Sequence, residues 1–172
     1  MILQLSPEDL MRQIQPLCDL LGDAVESGAS IGFLPPLNPM EAFVFWDSVR
    51  EAMEEGSRIL LVAVEAGELV GTVQLELCTR ANGAHRAEVV KLLVHRIARR
   101  RGIGAALLAA AEEAGRQSGR TLLVLDTRKG DPSEALYAKL GYTKAGEIPG
   151  YARSANGELH ATCIFYKTLD RR

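Results

Sequence analysis

Chemistry concentrates in one stretch, Leu92-Leu93-Val94-His95-Arg96-Ile97-Ala98-Arg99-Arg100-Arg101-Gly102-Ile103-Gly104-Ala105. Its apolar start reads as a strand. Three arginines follow, then two glycines one residue apart, then an alanine-rich run with Ile103, Leu107, Leu108, Ala111 and Ala114 at helical spacing. A strand, a glycine turn and a helix start make a cradle for an anionic diphosphate. The first-turn N–H groups have no partner in their own helix, and the aligned peptide dipoles leave about half a positive charge there. Two carboxylates are the other candidates. Glu88 alternates with Val90, Leu92 and Val94 on one expected strand face. A carboxylate on a buried strand must be paired or lie at the strand's end. Asp126 closes an apolar strand, where sites collect in α/β sheets. If both carboxylates reach one cleft, a shared proton raises one pKa and suits a general base. Alternatively they hold a cationic substrate, or they are ordinary ion-pair partners of residues such as Arg86 and Lys91.

The elements that must position these groups follow from periodicity and punctuation. Residues 2–5 read as a short strand. Ser6 then caps a helix with Pro7 in its first turn, and Leu10, Ile14, Leu17, Leu21 and Val25 predict that this helix continues to Gly28. Residues 28–39 are apolar yet rich in glycine and proline, a loop that lines a pocket or packs on the core. A helix over 40–55 is expected to bury Phe43, Trp46, Val49 and Met53. Strands at 58–65 and 69–78 form a hairpin around Gly67-Glu68. A long strand at 86–95 leads into the cradle and its helix, which ends near Gly119. A buried strand at 121–127 precedes a helix from Ser133 to Leu140, with Gly141 in the C′ position. Two last strands, 142–148 and 160–169, are joined by a loop. The expected fold class is α/β (α+β), a mixed sheet of six or seven strands flanked by about four helices.

Two phosphate-binding patterns fit the cradle poorly. The dinucleotide fingerprint needs a third glycine where Leu107 stands, and the P-loop needs Gly-Lys-Ser/Thr at the helix start. What does fit is Arg99-x-x-Gly102-x-Gly104 after Leu93, followed by Leu123-Val124-Leu125-Asp126-Thr127 and by Ala135-Leu136-Tyr137-Ala138-Lys139-Leu140-Gly141-Tyr142. In these blocks the chain resembles the GNAT acetyltransferase superfamily over most of its length. Gly32-Phe33-Leu34-Pro35-Pro36-Leu37 and Glu88 are similar to its tabtoxin-resistance-type branch. The family's proline after the signature strand is absent, and His95-Arg96-Ile97 stands there instead.

The resemblance implies a single acyl-CoA N-acyltransferase domain over residues 1–172 that uses acetyl-CoA and no metal. It implies that Leu92, Leu93 and Val94 pair their backbone with pantetheine, as an added strand does. Arg99, Arg100, Arg101, Gly102, Ile103, Gly104 and Ala105 would hold the pyrophosphate, with Ser133 and Tyr137 completing the coenzyme contacts. An amine attacks the thioester directly, Tyr137 protonates the departing thiolate, and Glu88 or Asp126 serves as base. The acceptor is the primary amine of a small molecule, amino-acid-like or β-lactam-like, and the protein a homodimer. A protein N-terminal or lysine amine, and a non-catalytic acyl-CoA-binding module, are the alternatives.

Composition narrows the classes. The 172 residues are 47 % hydrophobic and 24 % charged, ordinary for a globular domain. A net charge of −2 gives no basic field for nucleic acid, and the arginine loop has no interleaved aromatics for RNA. No apolar run approaches the roughly 20 residues that span a bilayer. Three cysteines, Cys18, Cys78 and Cys163, lie far apart in apolar surroundings and read as buried reduced thiols of a cytoplasmic protein. No His, Cys or carboxylate spacing suggests a metal site. His95 lies at the cradle's edge, and Trp46 and Tyr151 are further candidates for an acceptor pocket.

Overall fold

A computed structural model describes residues 1–170. The chain runs β1 (Ile2–Gln4), α1 (Pro7–Arg12), α2 (Ile14–Glu26), α3 (Pro39–Glu54), β2 (Arg58–Glu65), β3 (Glu68–Leu77), β4 (Arg86–Val94), α4 (Ile103–Gln117), β5 (Leu122–Arg128), α5 (Ser133–Lys139), β6 (Thr143–Arg153) and β7 (Leu159–Thr168). Seven strands form one mixed sheet in the order β1-β2-β3-β4-β5-β7-β6. Its neighbours are antiparallel except β4 and β5, which are parallel.

Each sheet face carries its own core. Leu75, Ala87, Leu123, Leu125 and Phe165 pack with Leu107, Leu108 and Ala111 of α4. Leu60 and Val62 pack with Leu10, Leu17, Leu21 and Trp46 of α1 to α3 on the other face. Gly115 lets α4 sit close to the sheet, since a Cβ there would lie 3.3 Å from Leu169 and 3.4 Å from Leu123.

Four local expectations need correction. The first helix is two. Ser6 does cap it, its hydroxyl accepting from the Asp9 N–H at 3.1 Å, but the helix breaks at Gln13 (φ −103°, ψ 16°). Pro16 has no N–H, and its ring would clash with the Arg12 carbonyl in an unbroken helix; it is accommodated in the first turn of α2. In α3 the buried positions are Ala42, Trp46 and Val49, whereas Phe43 is exposed, being one residue off that face. The strand expected to stop at Ile148 continues to Arg153, through a register shift between Ile148 and Ala152. An edge strand tolerates Pro149, because its N–H side need not be paired. Of the three cysteines only Cys163 is buried, with Cys18 and Cys78 half-buried and all three unpaired.

Candidate active site

The parallel pair at the sheet's centre is short. β4 and β5 are in register at Arg86/Leu122, Ala87/Leu123 and Glu88/Val124, and there the pairing stops. Beyond Glu88 the strands part, and the cleft between them holds two adjoining cavities of about 620 and 480 Å³. Leu92, Arg128, Asp131 and Ser133 line both.

A bulge in β4 accompanies the parting. Gln74 of β3 pairs with Val90 and Thr72 with Leu93, so Val73 alone faces Lys91 and Leu92. Lys91 takes φ +51° there. An inserted residue reverses the facing of everything after it. Ala87 and Val89 belong to the α4-side core; after the bulge Leu92 and Val94 pack against that same core, and Leu93 enters the opposite one. Glu88 therefore does not share a face with Leu92 and Val94. Simple alternation fails because the bulge adds one residue.

The larger cavity is the cradle. Leu92, Leu93, Val94, Arg99, Arg100, Gly102, Ile103, Gly104, Ala105 and Ser133 line it. Arg100 (φ +62°) and Gly102 (φ +82°) turn the chain into α4 through the left-handed region. Gly102 stands at the N-cap with no side-chain cap hydrogen bond, so the first-turn N–H groups remain free for a ligand. A Cβ at Gly104 would meet the side chains of Leu136 at 3.4 Å and Val94 at 4.0 Å. This shape and chemistry fit a coenzyme diphosphate. The arginines are less alike than their run suggests. The Arg99 Nε donates to the Val94 carbonyl at 2.9 Å. Arg101 pairs with Glu65 at 2.9 Å and does not line the cavity.

The smaller cavity is acidic on one wall. Glu88 lies directly across from Glu76 of β3 and from Val124 of β5. Asp126 is two residues beyond Val124, so three carboxylates on neighbouring strands share one face, and all three line the cavity. The Asp126 Oδ2 accepts from the Thr162 hydroxyl at 2.6 Å, and Glu76 is held by Arg58 at 2.6 Å. Glu88 has no such partner among the described residues. Its partial burial in the cleft, then the Glu76 and Asp126 charges, push its carboxyl above the usual range. Lys91 lines the same cavity and has no ion-pair partner among the described residues. Burial lowers its ammonium below the usual lysine value.

Tyr137 also lines this cavity and is 6 % exposed. Its ring packs on Tyr142 (5.9 Å) and Phe165 (5.7 Å). Burial, then the Asp126 and Asp131 charges, push its hydroxyl up to about 12, so it keeps its proton at any working pH. Ser133 hydrogen-bonds Thr127 (Oγ–Oγ1 2.6 Å) at the start of α5. Loop 28–39 serves in both ways considered for it: Ser30, Ile31 and Gly32 line the cavity, while Phe33 and Leu37 pack on the core. Tyr151 lines the cavity, whereas Trp46 is wholly buried. Among the described residues no group of three His, Cys, Asp or Glu could hold a metal ion, and no helix is long and apolar enough to cross a membrane.

Sequence reasoning missed Glu76, Asp23 and the Lys91 bulge. Glu76 was within reach, because counting the hairpin register places it beside the long strand. Nothing local marks the bulge or Asp23.

The comparisons agree with this geometry. The model of the acetyltransferase (GNAT) family matches residues 25–142. An Azospirillum brasilense protein described as an uncharacterized N-acetyltransferase in the hisH-hisA intergenic region is 34 % identical over 118 residues, covering 67 % of this chain and 68 % of its own. The crystal structure of a ribosomal-protein-alanine N-acetyltransferase from Brucella melitensis superposes with a TM-score of 0.80 at 23 % identity, over 98 % of this chain and 99 % of that one. The structure of yncA, a putative acetyltransferase from Salmonella typhimurium with its cofactor acetyl-CoA, gives 0.80 at 18 % identity, over 100 % and 95 %. The mixed seven-stranded sheet that splits at β4 and β5 is thus a shared fold, and with the match spanning cradle, β5 and the Tyr137 helix, this chain belongs to the acetyltransferase (GNAT) family.

Proposed function

We propose that residues 1–172 act as one cytoplasmic enzyme domain that moves the acetyl group of acetyl-CoA to the primary amine of a small, amino-acid-like or β-lactam-like molecule. The observation that carries this reading is the junction of the two cavities. The glycine-turn cradle opens at Leu92 and Ser133 into a cavity with three strand carboxylates, Asp131 beside them, and a buried tyrosine. Bound acetyl-CoA supplies a thioester carbonyl that an uncharged amine can attack. An arriving ammonium is drawn by Glu76, Glu88 and Asp126. Glu88, the carboxylate without a partner, takes its proton directly or through water. The β4 edge past Glu88, near Leu93, offers backbone N–H to the carbonyl oxygen as charge develops there. Tyr137 gives its proton to the sulfur as the C–S bond breaks, and the second proton that the attacking nitrogen loses as the amide forms returns to Tyr137 through solvent, which leaves a neutral thiol and a neutral tyrosine. Lys91, a cation of the same cavity with no ion-pair partner among the described residues, suits an acceptor that also carries a carboxylate. The exposed edge strand β6 offers an unpaired edge to a second copy, consistent with a homodimer.

Three outcomes test this. Purified protein should melt later as acetyl-CoA is added, by about 2.7 kcal/mol of stabilisation at a hundred times Kd; no shift at millimolar ligand would remove the donor assignment. Thiol release over a panel of amino acids, other amines and peptides then identifies the acceptor, and peptides alone reacting would move the reading to a protein amine. With the acceptor in hand, kcat/KM should rise with pH through the pKa of Glu88, which lies above the ordinary carboxylate value of about 4.3. Glu76→Gln removes one charge that raises it, so the acid limb should move to lower pH. A limb that stays in place would exclude Glu88 as the base.

A further inference from the structure

Asp23 has no part in the scheme above, yet it is a charged side chain only 7 % exposed. It stands on α2, two residues before the segment matched by the family model. Among the described residues its side-chain hydrogen bonds and ion pairs all run to the segment between β4 and α4. Its Oδ2 accepts from the Arg96 backbone N–H at 3.0 Å. Its Oδ1 accepts from the Arg96 Nε. The His95 Nε2 lies 3.7 Å from Oδ1 and an Arg99 Nη2 3.8 Å from Oδ2. His95 Nδ1 accepts from the Ile97 N–H at 3.4 Å, with Nε2 on the side of Asp23.

We propose that Asp23 is a positioning residue that clamps the β4–α4 loop in the shape that receives the coenzyme diphosphate; this rests on the acetyl-CoA reading above. The loop has His95-Arg96-Ile97 where a proline would have stiffened the backbone. It also gathers cationic side chains that repel one another. A buried carboxylate answers both needs, since charge-assisted hydrogen bonds are short and strong, and these run from another element. Arg99 is the link to the ligand. Its Nε donates to the Val94 carbonyl at 2.9 Å, one terminal nitrogen faces Asp23, and the residue lines the cradle. Arg96 is spent on Asp23 and on Glu26 at 3.6 Å, so it is a brace and not a phosphate ligand.

The test titrates the full chain with acetyl-CoA and, separately, with acetyl-pantetheine, which keeps the thioester and lacks the diphosphate. Asp23→Ala should weaken acetyl-CoA about tenfold, the scale of one charge-assisted hydrogen bond, and leave acetyl-pantetheine unchanged. Asp23→Asn keeps an oxygen for the Arg96 N–H and is uncharged, so it should lose less. Equal weakening of both ligands would mean a general structural role and overturn the proposal, as would undiminished or tighter acetyl-CoA binding by Asp23→Ala. If the wild-type protein does not bind acetyl-CoA, the donor reading itself fails and the proposal with it; if the wild type binds and the variants match it, only the clamp fails.

Discussion

Replacing Gly104 by tryptophan is expected to weaken acetyl-CoA binding at least about a hundredfold, equivalent to some 2.7 kcal/mol. The position lies in the first turn of α4, where the free N–H groups face the cradle. An added Cβ would already lie 3.4 Å from Leu136 and 4.0 Å from Val94. Anything larger must displace these two side chains, which themselves line the cradle, or project into the cavity. Gly104→Ala should keep most of the affinity, because its methyl needs only a small yielding of Leu136. Binding measured by calorimetry separates the two variants, and the ligand-free melting temperature checks that both remain folded. A tryptophan variant that binds like the wild type would mean that the diphosphate is held elsewhere.

Tyr137→Phe is expected to lower kcat about a hundredfold, within the usual 10²–10⁴ contribution of a general acid. Coenzyme affinity should stay within about twofold, since a group that acts only as the C–S bond breaks contributes little to the ground state. The substitution is a clean probe. The ring contacts with Tyr142 and Phe165 survive it, and among the described residues the hydroxyl makes no hydrogen bond that the change would orphan. The variant should therefore melt close to the wild type. The hydroxyl is pushed up to about 12, so Tyr137 should add no alkaline limb below pH 10. An unchanged kcat would assign Tyr137 to packing alone.

The two tests differ in how far each residue's role could be read from the chain. The cradle was legible because its chemistry is local. Gly102 must be left-handed to turn β4 into α4, and helix-start N–H groups are free wherever a helix starts without a side-chain cap. Both properties follow from a few adjacent residues. Pro16 was legible in the same way and was overlooked; its missing N–H splits α1 from α2 without help from anything distant. Tyr137 and Ser133 were found through a familiar helix, and their four-residue spacing puts both on the side of α5 that lines the smaller cavity.

The sequence by itself therefore determined the mixed sheet, the glycine turn into α4 and two of the three strand carboxylates that line the smaller cavity. Tertiary structure decided the rest. Strand register set Glu76 against Glu88, and no single segment carries that information. One inserted residue at Lys91 reversed the facing of Leu92 to Val94. The fold took Arg101 away to Glu65 and Arg96 to Asp23, which divided a uniform arginine run into ion-pair partners and cavity lining. The physical reason is range. Backbone conformation is settled by steric contacts within a few residues, whereas the neighbours of a charge are settled by which strands and helices meet, and those meet only in the folded chain.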